Sequence, residues 1–379
     1  MSKYQITLTP VDKFFFGGDM TFSVGAKELP KNWKEIKDEK VKAKIKGQVE
    51  DNTRYSSYII QSSMFPQQTS LLGMLRFLIL RNNNEAFKDG KIIDNDKAKE
   101  LIGGRSFMVN ECNDFKTIKG LGHVRIRKTE NGQSSDLEFA PLFKELDFEH
   151  TSMGVYNLHD TCIPLLTKDE YDAKNGIEVK LTDGKSHVKL EDDKDSVFVK
   201  DRRVGINRDI KTGEVEDGAL FKQISYRFNN DTSTNYCFVF TAEIEDCIPF
   251  ETYNGQIVTV GADNSQFVIG ITQDVKANNG IEPYKNAIWL LSPTFLTRAE
   301  AQRASFAITR LMPFRFLKSE MDKVKSYNVL SKDLVRSERY ELYAPGSVFY
   351  FGNEDQKQNF IKLIESKEEF RQIGYNEYK

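Results

Sequence analysis

Residues 199–228 read VKDRRVGINRDIKTGEVEDGALFKQISYRF, and they set the expectations for the rest of the chain. An Arg-Arg-Val-Gly-Ile start runs into a turn rich in Asp, Lys, Thr and Gly. A second turn at Asp217-Gly218 leads into alternating apolar and polar residues. Short polar residues and glycines between two such runs mark a hairpin, so two strands joined by a charged loop are predicted. Arg202, Arg203, Arg208 and Lys211 lie on or beside the first strand. They give the ribbon a cationic edge, the chemistry that grips a phosphate backbone. A solvated surface hairpin satisfies the same residues, so the neighbouring sequence has to decide.

The chain of 379 residues is too long for one ordinary core, which predicts about two domains. An apolar share of 39% beside a charged share of 29% fits a soluble globular protein and not a disordered one. The net charge of −2 carries no global signal for nucleic acid, so any polyanion site has to be a local patch. Cys112, Cys162, Cys237 and Cys247 are widely separated and form no CxxC pair. Reduced, buried thiols of a cytoplasmic protein are therefore expected. The N-terminal MSKYQITLTPVDKFFF lacks a signal-peptide layout, and no apolar run approaches a membrane span.

Outward from the ribbon, the chain alternates short strands with few helices. Residues 4–9 alternate as a strand, and Phe14-Phe15-Phe16-Gly17-Gly18 then falls into a glycine turn. Residues 27–54 are lysine-rich and read as a surface insertion. Residues 67–82 form the clearest helix, with Leu71, Leu72, Leu75, Leu78 and Ile79 on one face. Gly73 permits a close approach there, and Arg76 needs a carboxylate, backbone carbonyls or a phosphate as partner. A short helix is predicted over 94–102 and strands over 105–109 and 121–127. Arg125 and Arg127 share one face of the latter as a modest basic patch.

Residues 171–195 read as an exposed excursion, and 236–244 as the strand that closes the first sheet. A hairpin over 256–271 follows, turning at Ala262-Asp263-Asn264. Further predictions are a strand over 287–291, a helix over 297–306 capped by Thr297, strands flanking Ala344-Pro345-Gly346, and a closing helix over 353–365. This order predicts an α+β fold. Residues 1–250 are assigned to a first domain with insertions at 27–54 and 130–228, and residues 251–379 to a second with a glycine loop.

No catalytic constellation emerges. His123, His150, His159 and His187 have no metal-ligand spacing, and the His159-Asp160 dipeptide stands alone. The glycine pairs lack the lysine of a P-loop, and there is no GxSxG. Neither a metal nor a cofactor is predicted. The 27 phenylalanines and 15 tyrosines supply core and possible stacking surfaces together.

Six separated stretches, in order, carry a resemblance: ITLTPVDKFFFGGDMTF at 6–22, FPQQTSLLGMLR at 65–76, RRVGINRDIKTGEVEDGALF at 202–221, VGADNSQFV at 260–268, APGSVFYF at 344–351 and GYNEY at 374–378. Together they resemble the family of third subunits of the Cmr complex, the type III-B CRISPR effector, within the RAMP superfamily. The resemblance implies two ferredoxin-like, RRM-related domains with β-hairpin and loop insertions. It implies a subunit that is not an enzyme, binds the 5′ tag of the crRNA and touches target RNA only indirectly. The implied partners are the large cyclase/polymerase-like subunit and the backbone subunit, with no membrane. The RNA contacts it implies fall on Arg76, Arg202, Arg203, Arg208, Gly346 and Ser347, with residues 209–217 as a wedge beside a flipped nucleotide. Two alternatives stay open. One is a processing endoribonuclease of the same superfamily using His123. The other is the equivalent subunit of a type III-A or type I complex.

Overall fold

The computed structural model describes residues 1–18, 20–24, 56–111, 113–142, 156–158, 161–163, 178–191, 194–208, 215–261, 263–273, 287–318 and 335–379. In chain order, Ser2–Pro10, Met20–Val24 and Ser56–Gln61 form β1, β2 and β3. Gln68–Arg81 is α1 and Asn95–Ile102 is α2. Strands β4 to β8 are Ile118–Leu121, Arg125–Glu130, Gln133–Phe139, Lys180–Thr182 and His187–Lys189. The ribbon strands are β9, Phe198–Arg208, and β10, Val215–Phe228. Thr234–Ile244, Ile257–Thr259 and Gln266–Thr272 follow as β11, β12 and β13. Further along are β14 (Ala287–Trp289), α3 (Arg298–Ala301), β15 (Phe306–Ile308), β16 (Leu311–Phe314), β17 (Tyr340–Tyr343), β18 (Val348–Tyr350), α4 (Glu354–Glu365) and α5 (Glu368–Arg371).

The architecture is mixed, with many strands and few helices. A nine-stranded sheet has the order β8-β7-β6-β5-β11-β1-β13-β12, with β4 also on β11. Strand alternation builds its core face: Tyr4, Ile6 and Leu8 of β1 and Phe267, Ile269 and Ile271 of β13 are all buried. The leucines of α1 join the same cluster as these residues. Each large apolar side chain buried this way contributes roughly 1.5–3 kcal/mol. Gln67 enters α1 without a side-chain cap, so burial and not capping holds the helix. Gly73 is exposed, and a Cβ there would meet nothing within 4 Å. It is therefore not the close-approach position that its place in a leucine-rich helix suggested.

A smaller sheet has the order β14-β18-β15. The closing residues extend it, because Trp289 and Lys379 exchange backbone hydrogen bonds of 2.8 Å each way. Thr297 caps α3 as predicted, through a capping box with Glu300. The helix stops at Ala301, and the chain enters β15 at Phe306 where a longer helix was expected.

Three further expectations shift. The boundary expected at 250 falls inside the large sheet, since β13 pairs onto β1 and β12 onto β13. The excursion expected over 171–195 contains β7 and β8, which extend that sheet and bury Leu181 and Leu190. The strand expected over 105–109 is irregular. The Asn113 side chain satisfies the Met108 N–H and carbonyl at 2.9 Å each, which takes the place of a strand partner. The lysine-rich stretch 27–54 lies outside the described residues.

Candidate nucleic-acid interface

The predicted hairpin exists. Strands β9 and β10 pair antiparallel, and β10 joins β3 in parallel, giving a four-stranded sheet in the order β9-β10-β3-β2. Its base is an aromatic plug. Phe198 and Phe228 stack with centroids 5.3 Å apart, and both lie against Phe14 and Phe238. Tyr226 is fully buried, but its hydroxyl is not orphaned. It donates to Glu191 Oε2 at 2.8 Å and accepts from Gln61 Nε2 at 2.6 Å. Lys200 is paired with the same Glu191 at 3.2 Å and Lys13 with Asp201 at 2.9 Å, so the lower cations of the ribbon are neutralised.

Higher on the ribbon, Arg202 and Arg203 are not paired with any described residue. Register sets Arg202 opposite Ile224 and Arg203 opposite Gln223. Successive strand residues project to opposite faces, so the two arginines serve different sides of the ribbon. Arg202 shares its face with Val204, which is 67% exposed. Arg203 shares its face with Gln223 and Ser225. Both arginines are exposed, and neither makes an ion pair or hydrogen bond with the described residues. Arg208 sits opposite Val215 at the far end of the ribbon, and its side chain lies outside the described residues. So do Lys211 and most of the expected wedge over 209–217.

The Arg203 face looks into a cleft of about 250 Å³. The turn after β1 supplies Lys13 to it, the ribbon Arg203, Gln223 and Ser225, and the β12–β13 turn Asp263 and Asn264. Asp263 and Asn264 both adopt left-handed backbone, with φ of 54° and 52°, a conformation these two residue types tolerate. Ser265 holds that turn against the aromatic run by accepting the Phe15 N–H at 2.8 Å. Gly261 allows the approach, since a Cβ there would lie 2.8 Å from the Phe15 carbonyl. The Gln223 amide donates to Asp263 across the cleft. Sequence reading singled out Arg203 but not Lys13, Gln223, Ser225 or Asp263. Their only signals were polar positions inside an apolar alternation and an Asp-Asn turn.

The remaining expected RNA contacts lie elsewhere. Arg76 donates to the carbonyls of Ile102 at 2.8 Å and Gly103 at 2.9 Å, at the C-terminal end of α2. Those are carbonyls a helix end leaves unpaired, so the backbone-carbonyl option is the one realised for these two donors. Gly346 and Ser347 are inside the protein. The Gly346 N–H donates to Leu290 O at 2.8 Å, and Ser347 is 0% exposed with its hydroxyl bonded to Ala344 O at 2.7 Å. Their expected phosphate contact is corrected accordingly, because a buried, satisfied N–H has nothing to offer a surface ligand.

Arg125 and Arg127 both turn to Asp136, at 3.4 and 2.7 Å, so both members of the basic patch read there share one carboxylate. His123 Nε2 lies 3.6 Å from Glu138 Oε1, and Lys379 Nζ lies 3.3 Å from Glu138 Oε2. Burial alone would raise the Glu138 carboxyl. The nearby His123 and Lys379 side chains outweigh it and hold the group at about 2. This cluster ties the last residue of the small sheet to β6 of the large one. His187 is exposed on β8, and His150, His159 and Asp160 lie outside the described residues. Among the described residues no group of three His, Cys, Asp or Glu side chains is placed to hold a metal. Burial pushes the Cys237 thiol up to about 11, and no described helix is long and apolar enough to cross a membrane.

The sequence profile of the family described as CRISPR-associated protein (Cas_Cmr3) matches residues 54–378. No curated protein sequence matches the chain. In fold, the chain is similar to a subunit of the type III-B Cmr-beta complex bound to cognate target RNA. The TM-score is 0.50 at 13% identity, covering 99% of this chain and 96% of that one. A subunit of Cmr-beta bound to cognate target RNA and AMPPnP matches with a TM-score of 0.48 at 14% identity, covering 99% and 95%.

Proposed function

The chain belongs to the CRISPR-associated Cas_Cmr3 family, and from that premise we propose that it is a non-catalytic subunit of a type III-B RNA-guided effector complex. In this reading it binds the 5′ tag of the crRNA and docks the large cyclase/polymerase-like subunit to the backbone, in the cytoplasm. Strand order supports the two ferredoxin-like domains that go with it. In the large sheet β13, β1, β11 and β5 stand side by side. In the small one the closing residues, β14, β18 and β15 do the same. Both sets follow the fourth-first-third-second arrangement of a split βαβ unit. Helices α3 and α4 provide the two crossovers of the second domain. In the first, α1 provides one, and the single turn Phe250–Tyr253 stands where the other helix would lie.

The observation that carries the RNA reading is Arg203, an exposed guanidinium that no described residue pairs, at the rim of a polar cleft. A guanidinium takes a phosphate through two parallel N–H donors. Such a charge-assisted contact is worth roughly 1.5–3 kcal/mol. Charge reversal at Arg203 together with Arg208 is expected to weaken binding of tagged guide RNA, with a smaller dependence on salt. Unchanged affinity in a filter-binding assay would remove the RNA role from the ribbon. Purifying the tagged chain from its native host and sequencing the RNA that accompanies it tests the assignment as a whole. Recovery of crRNAs with the large and backbone subunits is the expected result.

A further inference from the structure

We propose that the cleft between the ribbon and its two neighbouring turns holds one ribonucleotide unit of the bound RNA, with Ser225 and Asp263 accepting hydrogen bonds from that nucleoside's ribose 2′-hydroxyl or exocyclic amino group. This rests on the RNA-binding reading above and gives the site its selectivity.

Ser225 is 5% exposed, lines the cleft, and its hydroxyl bonds to none of the described residues. Its Oγ is not among the enclosed polar atoms left unpaired, so it reaches solvent and can meet whatever enters the cleft. Asp263 on the opposite wall is a carboxylate in a site meant for a polyanion. It repels a phosphate, so its presence favours a ligand that also brings donors, and a nucleoside brings them on its 2′-hydroxyl and its amino groups. One carboxylate oxygen is held by Gln223, and the other has no partner among the described residues. Arg203 supplies the complementary cation at the rim.

Among the described residues, the aromatic rings near the cleft are committed elsewhere. The rings of Phe14 and Phe16 are packed against Phe238 and Phe267 in the core. No aromatic side chain is exposed among the described residues. A base entering the cleft meets polar groups of the described residues, which can read its edge or its sugar. The volume of about 250 Å³ lies below the roughly 300–1,000 Å³ of clefts that bury a drug-sized ligand, which suits a single nucleotide unit.

Fluorescence anisotropy on the full chain tests this with three labelled single-stranded ligands: randomised eight-nucleotide RNA, its all-deoxy counterpart, and RNA built only from purine riboside, inosine and uridine. The wild-type chain is expected to prefer the first ligand over at least one of the others by about fivefold, the scale of a net hydrogen bond. Ser225→Ala and Asp263→Asn bring that ratio toward one, and Arg203→Ala weakens all three ligands alike. Asparagine tolerates the left-handed backbone at position 263, so D263N keeps its turn, and a melting curve verifies the fold of each variant. A ratio lost against DNA assigns the 2′-hydroxyl, and one lost against the amino-free RNA assigns the amino group. Wild-type RNA binding with an unchanged ratio in both folded variants overturns the cleft and leaves the RNA reading standing. No RNA binding by the wild-type chain overturns the RNA reading and the cleft with it.

Discussion

Phe14 and Tyr226 exchange backbone hydrogen bonds, 2.8 Å from the Phe14 N–H and 3.0 Å from the Tyr226 N–H. Through this one reciprocal pair the turn that follows β1 is stitched to the base of the ribbon, 212 positions later in sequence. The Phe14 ring then fills the space among Phe198, Phe228, Phe238 and Phe267. The ribbon is therefore a lever fixed at its root. Phe14→Ala is expected to destabilise the protein by about 3–5 kcal/mol, the range for emptying a buried phenylalanine site. Urea denaturation measures it, and a loss below 1 kcal/mol would show that the root is not load-transmitting.

Gly346 makes a stability prediction where a binding role had been expected. Its φ of +86° is strained for any residue with a side chain, and a Cβ would lie 2.8 Å from Ala140 O. Gly346→Ala is expected to cost on the order of 1–3 kcal/mol and to leave the RNA affinity of the folded protein unchanged. A fall in affinity without a fall in melting temperature would restore the loop to the interface.

Much of the fold is legible in the sequence because it rests on local patterns. The leucine stripe of α1, the Thr297 cap with Glu300 three residues on, and the alternation of β10 each name their own element. What escaped depends on distant partners. The segment 178–191 looks like a solvated excursion because its buried Leu181 and Leu190 and half-buried Val179 and Val188 are scattered among charged residues. Arg76 cannot announce that the carbonyls of Ile102 and Gly103 will end beside it. A glycine in a Pro-Gly turn reads as open loop, and Ser347 beside it is enclosed by Leu290 and Arg310, whose N–H groups donate to its carbonyl and hydroxyl. For the site, the Arg-Arg pair gave the ribbon and its charge. The division of labour between Arg202 and Arg203 needed the register with β10.

Glu138 gives a pH dependence with a definite sign. Its carboxyl sits at about 2 in the folded chain against 4.5 for the free group. A depressed folded value means that the stabilisation is fully present above 4.5 and is lost as the pH falls from there toward 2. At 1.36 kcal/mol per unit this amounts to about 3 kcal/mol. Glu138→Gln is expected to flatten the stability profile between pH 4.5 and 2 relative to the parent. Equal slopes for both proteins in urea titrations across that window would show that the cluster with His123 and Lys379 does not carry the linkage.

His123 is the residue on which an endoribonuclease reading would rest, and its surroundings give it another occupation. A general acid has to reach the leaving oxygen of its substrate. Here Nε2 is directed 3.6 Å from Glu138, with Lys379 on the far side of the same carboxylate. The side chain is 16% exposed, and Arg125, which would have supplied the basic strand beside it, is committed to Asp136. Purified protein incubated with repeat RNA is therefore expected to leave it uncut. His123→Ala should lower stability and leave RNA affinity as it was. Tag-specific cleavage by the wild-type chain that disappears in this variant would replace the binding role with a catalytic one.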